Sequence, residues 1–158
     1  MESDLKKLKI ILSAEDDDDD RLLIQEGFKS SKIASELFFT ENGQDLLDYL
    51  RHQGKYSGGN IPSPRPDLIL LDLNMPKRDG RDVLREIKSD PALRGIPIVV
   101  LTTSNAYRDI INCYNLGANS FISKPESYDD FARMADAFCG YWMRLTTLPQ
   151  QEQQRGTP

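Results

Sequence analysis

The sequence predicts an α/β fold: a doubly wound, five-stranded parallel sheet in a three-layer (βα)5 sandwich. Short apolar runs alternate strictly with segments that carry apolar residues at helical spacing, as in a parallel sheet with helices on both faces. Two of the runs, DLILLD and IPIVVLT, are nearly all apolar, which is typical of central strands buried on both sides. With 158 residues, 39% of them hydrophobic, the chain can form one ordinary globular core.

The strands are predicted where short runs rich in leucine or β-branched residues are bounded by acidic or turn residues. They are Lys9 to Ala14, Glu36 to Thr40, Asp67 to Leu71, Pro97 to Thr102 and Asn119 to Ile122. The helices follow from apolar residues spaced three and four apart. They are Asp19 to Lys29, Gly43 to Gln53, Arg81 to Ser89, Ala106 to Leu116 and Tyr128 to Leu145. Gly, Pro and Ser concentrate in residues 54–66, which predicts a long surface loop.

We expect a single domain over residues 1–148. The polar segment PQQEQQRGTP, residues 149–158, has no apolar anchor and is expected to be a disordered tail. A net charge of -5 disfavours nucleic acid as a partner. The N-terminus lacks the apolar core of a signal peptide, and no segment approaches the ~20 apolar residues of a membrane span. Cys113 and Cys139 lie in apolar helical contexts, as reduced core thiols of a cytoplasmic protein do.

The candidate functional residues are those that end the strands, because ligands of such sheets bind beyond the carboxyl ends of the strands. Glu15 and Asp16 follow the first strand, Asp72 the third, Thr102 ends the fourth, and Lys124 follows the fifth. Carboxylates brought this close together repel one another, and a divalent cation would relieve the repulsion. Oxygen ligands with room for water and a phosphoryl oxygen favour Mg²⁺. The alternative is a solvated acidic surface.

Four motifs in order resemble those of response regulator receiver domains: EDD, DLILLDLNMPKRDG, VVLTTS and SKP. The resemblance spans residues 8–145 and implies a flavodoxin-like fold and a phosphoryl group accepted on Asp72. It also implies Mg²⁺ held by Asp16, Asp72 and the main-chain carbonyl of Asn74, with Glu15 acting through water. Lys124 would then pair with the phosphoryl group.

The same resemblance assigns a conformational switch to two residues and suggests partners. Thr102 would be the switch hydroxyl, and Phe121 would fill the space it vacates, although Phe121 is equally well explained as ordinary core. The Lys124-Pro125 bond matches a position that is cis in the family. A separate sensor histidine kinase would be the phosphodonor, and the domain would catalyse both phosphotransfer and dephosphorylation.

The last helix suggests self-association. Phe131, Ala135, Phe138, Trp142 and Leu145 form an apolar stripe, widened by Met134 and Tyr141, that is longer than a sheet edge needs. We therefore expect a homodimer through the fourth helix, fifth strand and last helix. The loop before the third strand, DLNMPKRDG and the YW...LP ending resemble phytochrome-associated single-domain regulators, which points to a bacteriophytochrome as the kinase.

Other functions fit the residues less well. A haloacid-dehalogenase-type phosphatase needs an acid/base aspartate two residues after the nucleophile, where this chain has Asn74. A flavodoxin-like cofactor binder needs a Ser/Thr/Gly loop after the first strand, and the acidic run 15–20 would repel the phosphate. An EF-hand loop needs glycine where Asp20 stands. Residues 17–20 are interpreted instead as solvated charges at a helix N-terminus. His52, the only histidine, is expected on the surface.

Overall fold

The computed structural model describes residues 8–32 and 35–149. Within these residues the strands are β1 (Lys9–Ala14), β2 (Ser35–Thr40), β3 (Leu68–Leu71), β4 (Ile98–Thr102) and β5 (Ser120–Ser123). The helices are α1 (Asp18–Ser30), α2 (Gly43–Arg51), α3 (Gly80–Ser89), α4 (Tyr107–Leu116) and α5 (Tyr128–Phe138). The order of the predicted elements is confirmed, and their boundaries differ by at most two residues except at the end of α5.

The five strands form one parallel sheet in the order β2-β1-β3-β4-β5. β1 lies between β2 and β3, with Ile11 opposite both Leu37 and Leu68. The chain therefore winds outward in one direction from β1 and in the other from β3. In a doubly wound sheet, the crevice for ligands lies at this switch point. The predicted flavodoxin-like fold class is confirmed.

The sheet separates two hydrophobic cores, which makes the molecule three layers deep. One core packs the sheet against α2, α3 and α4, with Leu46, Leu84 and Cys113 at its centre. The other packs it against α1 and α5, where the rings of Phe28 and Phe138 stack at 5.4 Å. β3 and β4 are buried along their whole length, as predicted for the central strands. Both cysteines are free and buried, as predicted.

The end of the last helix differs from the prediction. After Phe138 the chain continues as a π-helix from Cys139 to Leu145 instead of an α-helix. A π-helix bonds i→i+5, so the residues within it leave the stripe expected from α-helical spacing. Leu145 is 75% exposed, whereas Met143 and Leu148 are buried in the core. The predicted stripe to Leu145 is therefore wrong in its last turn.

The segment 54–66 is mostly an exposed loop, as predicted, but two contacts attach it to the core. It begins with a short 3₁₀ helix, Gly54–Tyr56. Tyr56 is buried, and its hydroxyl donates a hydrogen bond of 2.9 Å to the buried carboxylate of Asp45. Nearby, Tyr49 Oη donates to the carbonyl of Pro64 at 2.8 Å. These contacts attach both ends of the segment to α2, while His52 is exposed as predicted.

The predicted tail lies outside the described residues apart from Pro149. In the described ranges, no helix combines the length and apolar character needed to cross a bilayer.

Candidate functional site

Four strands bring reactive side chains to one edge of the sheet. Glu15, Asp72 and Lys124 directly follow β1, β3 and β5, and Thr102 is the last residue of β4. The backbone N–H groups of Glu15, Asp72 and Lys124 donate to the last carbonyls of β2, β1 and β4, at 2.9, 3.2 and 2.7 Å. The ladder therefore continues one residue beyond each strand. This pairing fixes the backbone positions from which the three charged side chains extend.

Lys124 lies at the centre of the site among three carboxylates. Its Nζ is 2.8 Å from Glu15 Oε1, 2.7 Å from Asp20 Oδ2 and 3.0 Å from Asp72 Oδ2. Burial alone would lower the pKa of Lys124. The hydrogen bonds with Asp20 and Glu15 and the charges of Asp72 and Glu15 outweigh burial, so the pKa lies above its ordinary value. The lysine is therefore a fixed cation.

Glu15, Asp16 and Asp72 form a group that fits a hard divalent cation. One ligand oxygen from each lies within 4.8 Å of the others. Glu15 is 1% exposed and Asp72 5% exposed, whereas Asp16 is exposed to solvent. Burial raises the pKa of Glu15 to about 7, and the charge of Asp72 adds to this while Lys124 opposes it. One lysine thus compensates these carboxylates only in part, and a cation ligated by oxygens would complete the compensation.

The loop after β3 packs closely around Asp72. The Asn74 N–H donates to Asp72 Oδ1 at 3.2 Å, and the Gly80 N–H donates to the Leu73 carbonyl at 2.9 Å. A Cβ at Gly80 would lie 2.5 Å from the Asp72 carbonyl oxygen and 2.6 Å from Leu73 Cα. Glycine is therefore required where α3 begins. The close approach holds the backbone of Asp72 against the helix.

Thr102 and Phe121 lie on the adjacent strands β4 and β5. Thr102 is fully buried, and its Oγ1 accepts a hydrogen bond of 3.4 Å from the Ser104 N–H. Phe121 is half-buried against the core on the α2–α4 side, and its N–H donates to Tyr114 Oη at 3.1 Å. The aromatic ring is thus neither fully packed core nor free surface.

Comparison with known proteins agrees with this geometry. A model of the response regulator receiver domain matches residues 11–136. The chain belongs to the response regulator receiver family. Among curated relatives, the response regulator Rcp1 of Synechocystis sp. is 44% identical over 141 residues, covering 89% of this chain and 93% of Rcp1.

Solved structures of receiver proteins superpose closely. The Mn²⁺-bound form of Rcp1 gives a TM-score of 0.83 at 44% identity, covering 90% of this chain and 99% of that one. The phosphorylated cyanobacterial phytochrome response regulator RcpA gives 0.84 at 41% identity, covering 91% of this chain and all of that one (100%). The resemblance inferred from the four motifs is confirmed.

The structure brings four of the predicted residues of this receiver domain together and adds one. Glu15, Asp16 and Asp72 share one group, and Lys124 contacts two of its members. Asp20, interpreted from the sequence as a solvated helix-terminal charge, instead contacts Lys124. A run of five aspartates gives no signal of which one turns inward. Asp20 reaches Lys124 because of its position on the first turn of α1, and that position is known only from the fold.

One expectation about this site is wrong. The Lys124-Pro125 peptide bond, expected to be cis, is trans; among the residues that the structure describes, no peptide bond is cis. The trans form keeps its usual preference of about 0.5–1 kcal/mol before proline, and Lys124 reaches the acidic group in that form.

Proposed function

We propose that this receiver domain accepts a phosphoryl group on Asp72, and that Mg²⁺ is held by Asp16, Asp72 and the Asn74 carbonyl. Glu15 would act on the cation through water. The observation that supports the acceptor assignment is the buried Asp72 carboxylate, which is in contact with Lys124 and grouped with two further carboxylates. Bound Mg²⁺ would neutralise charge on the phosphoryl oxygens.

The residues of the chain have separate tasks in this proposal. An Asp72 carboxylate oxygen forms a bond to phosphorus while the bond from phosphorus to the donor's leaving group breaks, and the leaving group takes the electron pair. Lys124 binds a phosphoryl oxygen. The Thr102 hydroxyl donates a hydrogen bond to an oxygen of the new phosphoryl group, and Phe121 fills the space that the Thr102 side chain vacates. Acceptance and later hydrolysis would both proceed on the isolated domain.

Substitution of the acceptor tests this assignment. Asp72→Asn should remain unlabelled by acetyl phosphate and Mg²⁺ in intact-mass spectra, because the amide is a poor nucleophile. Asp19→Asn is the matched control, since Asp19 is exposed on the first turn of α1 and should label like wild type. Chelation of the divalent cation should abolish labelling, and the label on wild type should decay once the donor is removed. An Asp72→Asn variant labelled as readily as wild type would rule out this acceptor.

The phosphodonor we propose is a sensor histidine kinase of the bacteriophytochrome type. Support comes from the similarity to RcpA, described as a cyanobacterial phytochrome response regulator. A phosphotransfer profile against a panel of histidine kinases tests it: phytochrome kinases should label Asp72 fastest. Equal or faster labelling by unrelated kinases would contradict this choice.

We further propose that the domain comprises residues 1–148, followed by a tail from residue 149. We also propose that the protein is cytoplasmic, where its two free cysteines would stay reduced.

We also propose a homodimer through α4, β5 and α5. Tyr107, Ile111 and Tyr114 are exposed and spaced four and three apart, so they form an apolar stripe on one face of α4. Tyr128 and Tyr141 are exposed at the start of α5 and in the π-helix that follows it. Leu145, at the end of that π-helix, is exposed as well, so exposed apolar side chains on both α4 and the last helix support the interface.

Sedimentation velocity across a concentration series, with and without beryllofluoride, tests the dimer. Ile111→Ser should weaken association, whereas Leu22→Ser removes a similarly exposed apolar side chain from α1 and should not. A wild-type protein that stays monomeric at high concentration in both states would exclude the dimer.

A further inference from the structure

The three N–H bonds of the Lys124 ammonium match three carboxylate partners. A lysine has three donors and no acceptor. Asp20 and Asp72 accept hydrogen bonds at 2.7 and 3.0 Å, and Glu15 forms an ion pair at 2.8 Å. All three N–H bonds of the ammonium therefore have a carboxylate partner, and each contact limits the directions open to the other two.

Asp20 differs from the other two partners. It is not a member of the Glu15, Asp16 and Asp72 group that fits a cation. Its side chain is 26% exposed, against 2% for Glu15 and 6% for Asp72. Asp20 therefore contacts the lysine from the rim of the site, and it would remain available to Lys124 when a cation occupies the group.

The first turn of α1 holds Asp20 in place. Its backbone N–H donates at 3.0 Å to Asp17, the side-chain cap of the helix. The next residue, Arg21, donates from Nε to the Glu15 carbonyl at 2.7 Å, and its guanidinium lies over the Phe39 ring. The turn is thus attached to the strand that carries Glu15. The Asp20 side chain then spans from α1 to the residue after β5.

We propose that Asp20 is a positioning residue for phosphoryl transfer, which holds the Lys124 ammonium so that one N–H bond points at Asp72. This inference rests on the proposed role of Asp72 as acceptor. Once Asp72 carries the phosphoryl group, that N–H bond binds a phosphoryl oxygen while Asp20 and Glu15 keep the other two. Without the Asp20 carboxylate, the ammonium settles between Glu15 and Asp72 and its third N–H bond loses a fixed direction.

The test compares Asp20→Asn, Asp20→Glu and the exposed control Asp19→Asn. Asp20→Asn should lower the rate of labelling by acetyl phosphate about 3- to 10-fold and weaken beryllofluoride binding similarly, because a neutral acceptor forms a hydrogen bond roughly half as strong. Asp20→Glu, which restores the charge, should recover most of the loss. Asp19→Asn removes the same charge without the contact and should match wild type, so net charge cannot account for the difference.

A second comparison shows whether the effect passes through Lys124. In a Lys124→Gln background, Asp20→Asn should cause no further loss of beryllofluoride affinity, measured by titration calorimetry. Urea unfolding of each variant verifies that folded proteins are compared.

The outcomes separate this inference from the proposed function. If Asp72→Asn is inert but Asp20→Asn behaves like Asp19→Asn, or labels faster than wild type, only the role of Asp20 is overturned. The same holds if the effect persists without Lys124. Labelling of Asp72→Asn at the wild-type rate would overturn both.

Discussion

The ion pair between Arg81 and Asp109 joins α3 to α4, and its removal should reduce stability in a pH-dependent way. Arg81 donates from Nε and one terminal nitrogen to the two Asp109 oxygens at 2.9 and 2.8 Å, a bidentate geometry. Ser104 Oγ adds a third hydrogen bond to Asp109 at 2.6 Å. These contacts, with the Arg81 hydrogen bond first in size, lower the pKa of Asp109 to about 2.

The size of the effect follows from this pKa. The ordinary pKa of an aspartate is ~3.9, so the lowered pKa corresponds to at most about 2.6 kcal/mol of stability at neutral pH. Solvent screening of this pair at the surface reduces the expected value to about 1–2 kcal/mol. Because the folded pKa is depressed, the contribution is complete above the unfolded pKa and is lost as pH falls toward 2. At about pH 3, roughly half should remain.

Urea unfolding of Asp109→Asn against wild type at neutral pH and near pH 3 measures this contribution. The difference in free energy of unfolding should be about 1–2 kcal/mol and should shrink by roughly half at the lower pH. Asp82→Asn is the control, since its pair with Arg85 is largely exposed on α3 and should contribute less than about 0.5 kcal/mol. A difference that is independent of pH, or no larger than the control, would refute the reasoning.

Three further substitutions test packing and hydrogen bonding by urea unfolding. Gly80→Ala, which places a Cβ 2.5 Å from the Asp72 carbonyl oxygen, should destabilise the protein by about 1–3 kcal/mol and slow its labelling by acetyl phosphate. The control Gly95→Ala, which has open space around the new Cβ, should have neither effect. Thr40→Val should stabilise by about 1 kcal/mol, because the buried Thr40 hydroxyl has no partner among the described residues; a loss of stability would contradict this. Tyr56→Phe should cost about 1.5–3 kcal/mol, since its hydroxyl donates to a buried carboxylate of α2; a smaller loss than about 0.5 kcal/mol would show that the hydroxyl contributes little.

The sheet and most of the candidate site could be predicted from the sequence, because both depend on patterns that are local along the chain. Buried parallel strands are continuous apolar runs, and the residues that end them must meet at one edge. Asp72 and Lys124 were predicted in this way, although 52 positions separate them. Topology, rather than any direct sequence signal, brings them together.

Most of the features that the sequence did not reveal depend on contacts between distant segments. Tyr56 belongs to a segment rich in Gly, Pro and Ser, yet it is buried against α2. The residues of the π-helix after Phe138 have an apolar spacing that would suit an α-helix equally well. Asp20 has acidic neighbours of identical local character, and only its pairing with Lys124, 104 positions away, distinguishes it.

Ser104 connects the candidate site to the ion pair between α3 and α4. Its N–H donates to Thr102 Oγ1 at 3.4 Å, a long bond, whereas its hydroxyl donates to Asp109 at 2.6 Å. Hydrogen bonds weaken with distance, so the contact with Thr102 is the weaker of the two. If Thr102 turns toward a phosphoryl group on Asp72, as we propose, it gives up this weak contact while Ser104 stays attached to Asp109. The switch would then need little more than a side-chain rotation, because the loop between β4 and α4 keeps its stronger attachment.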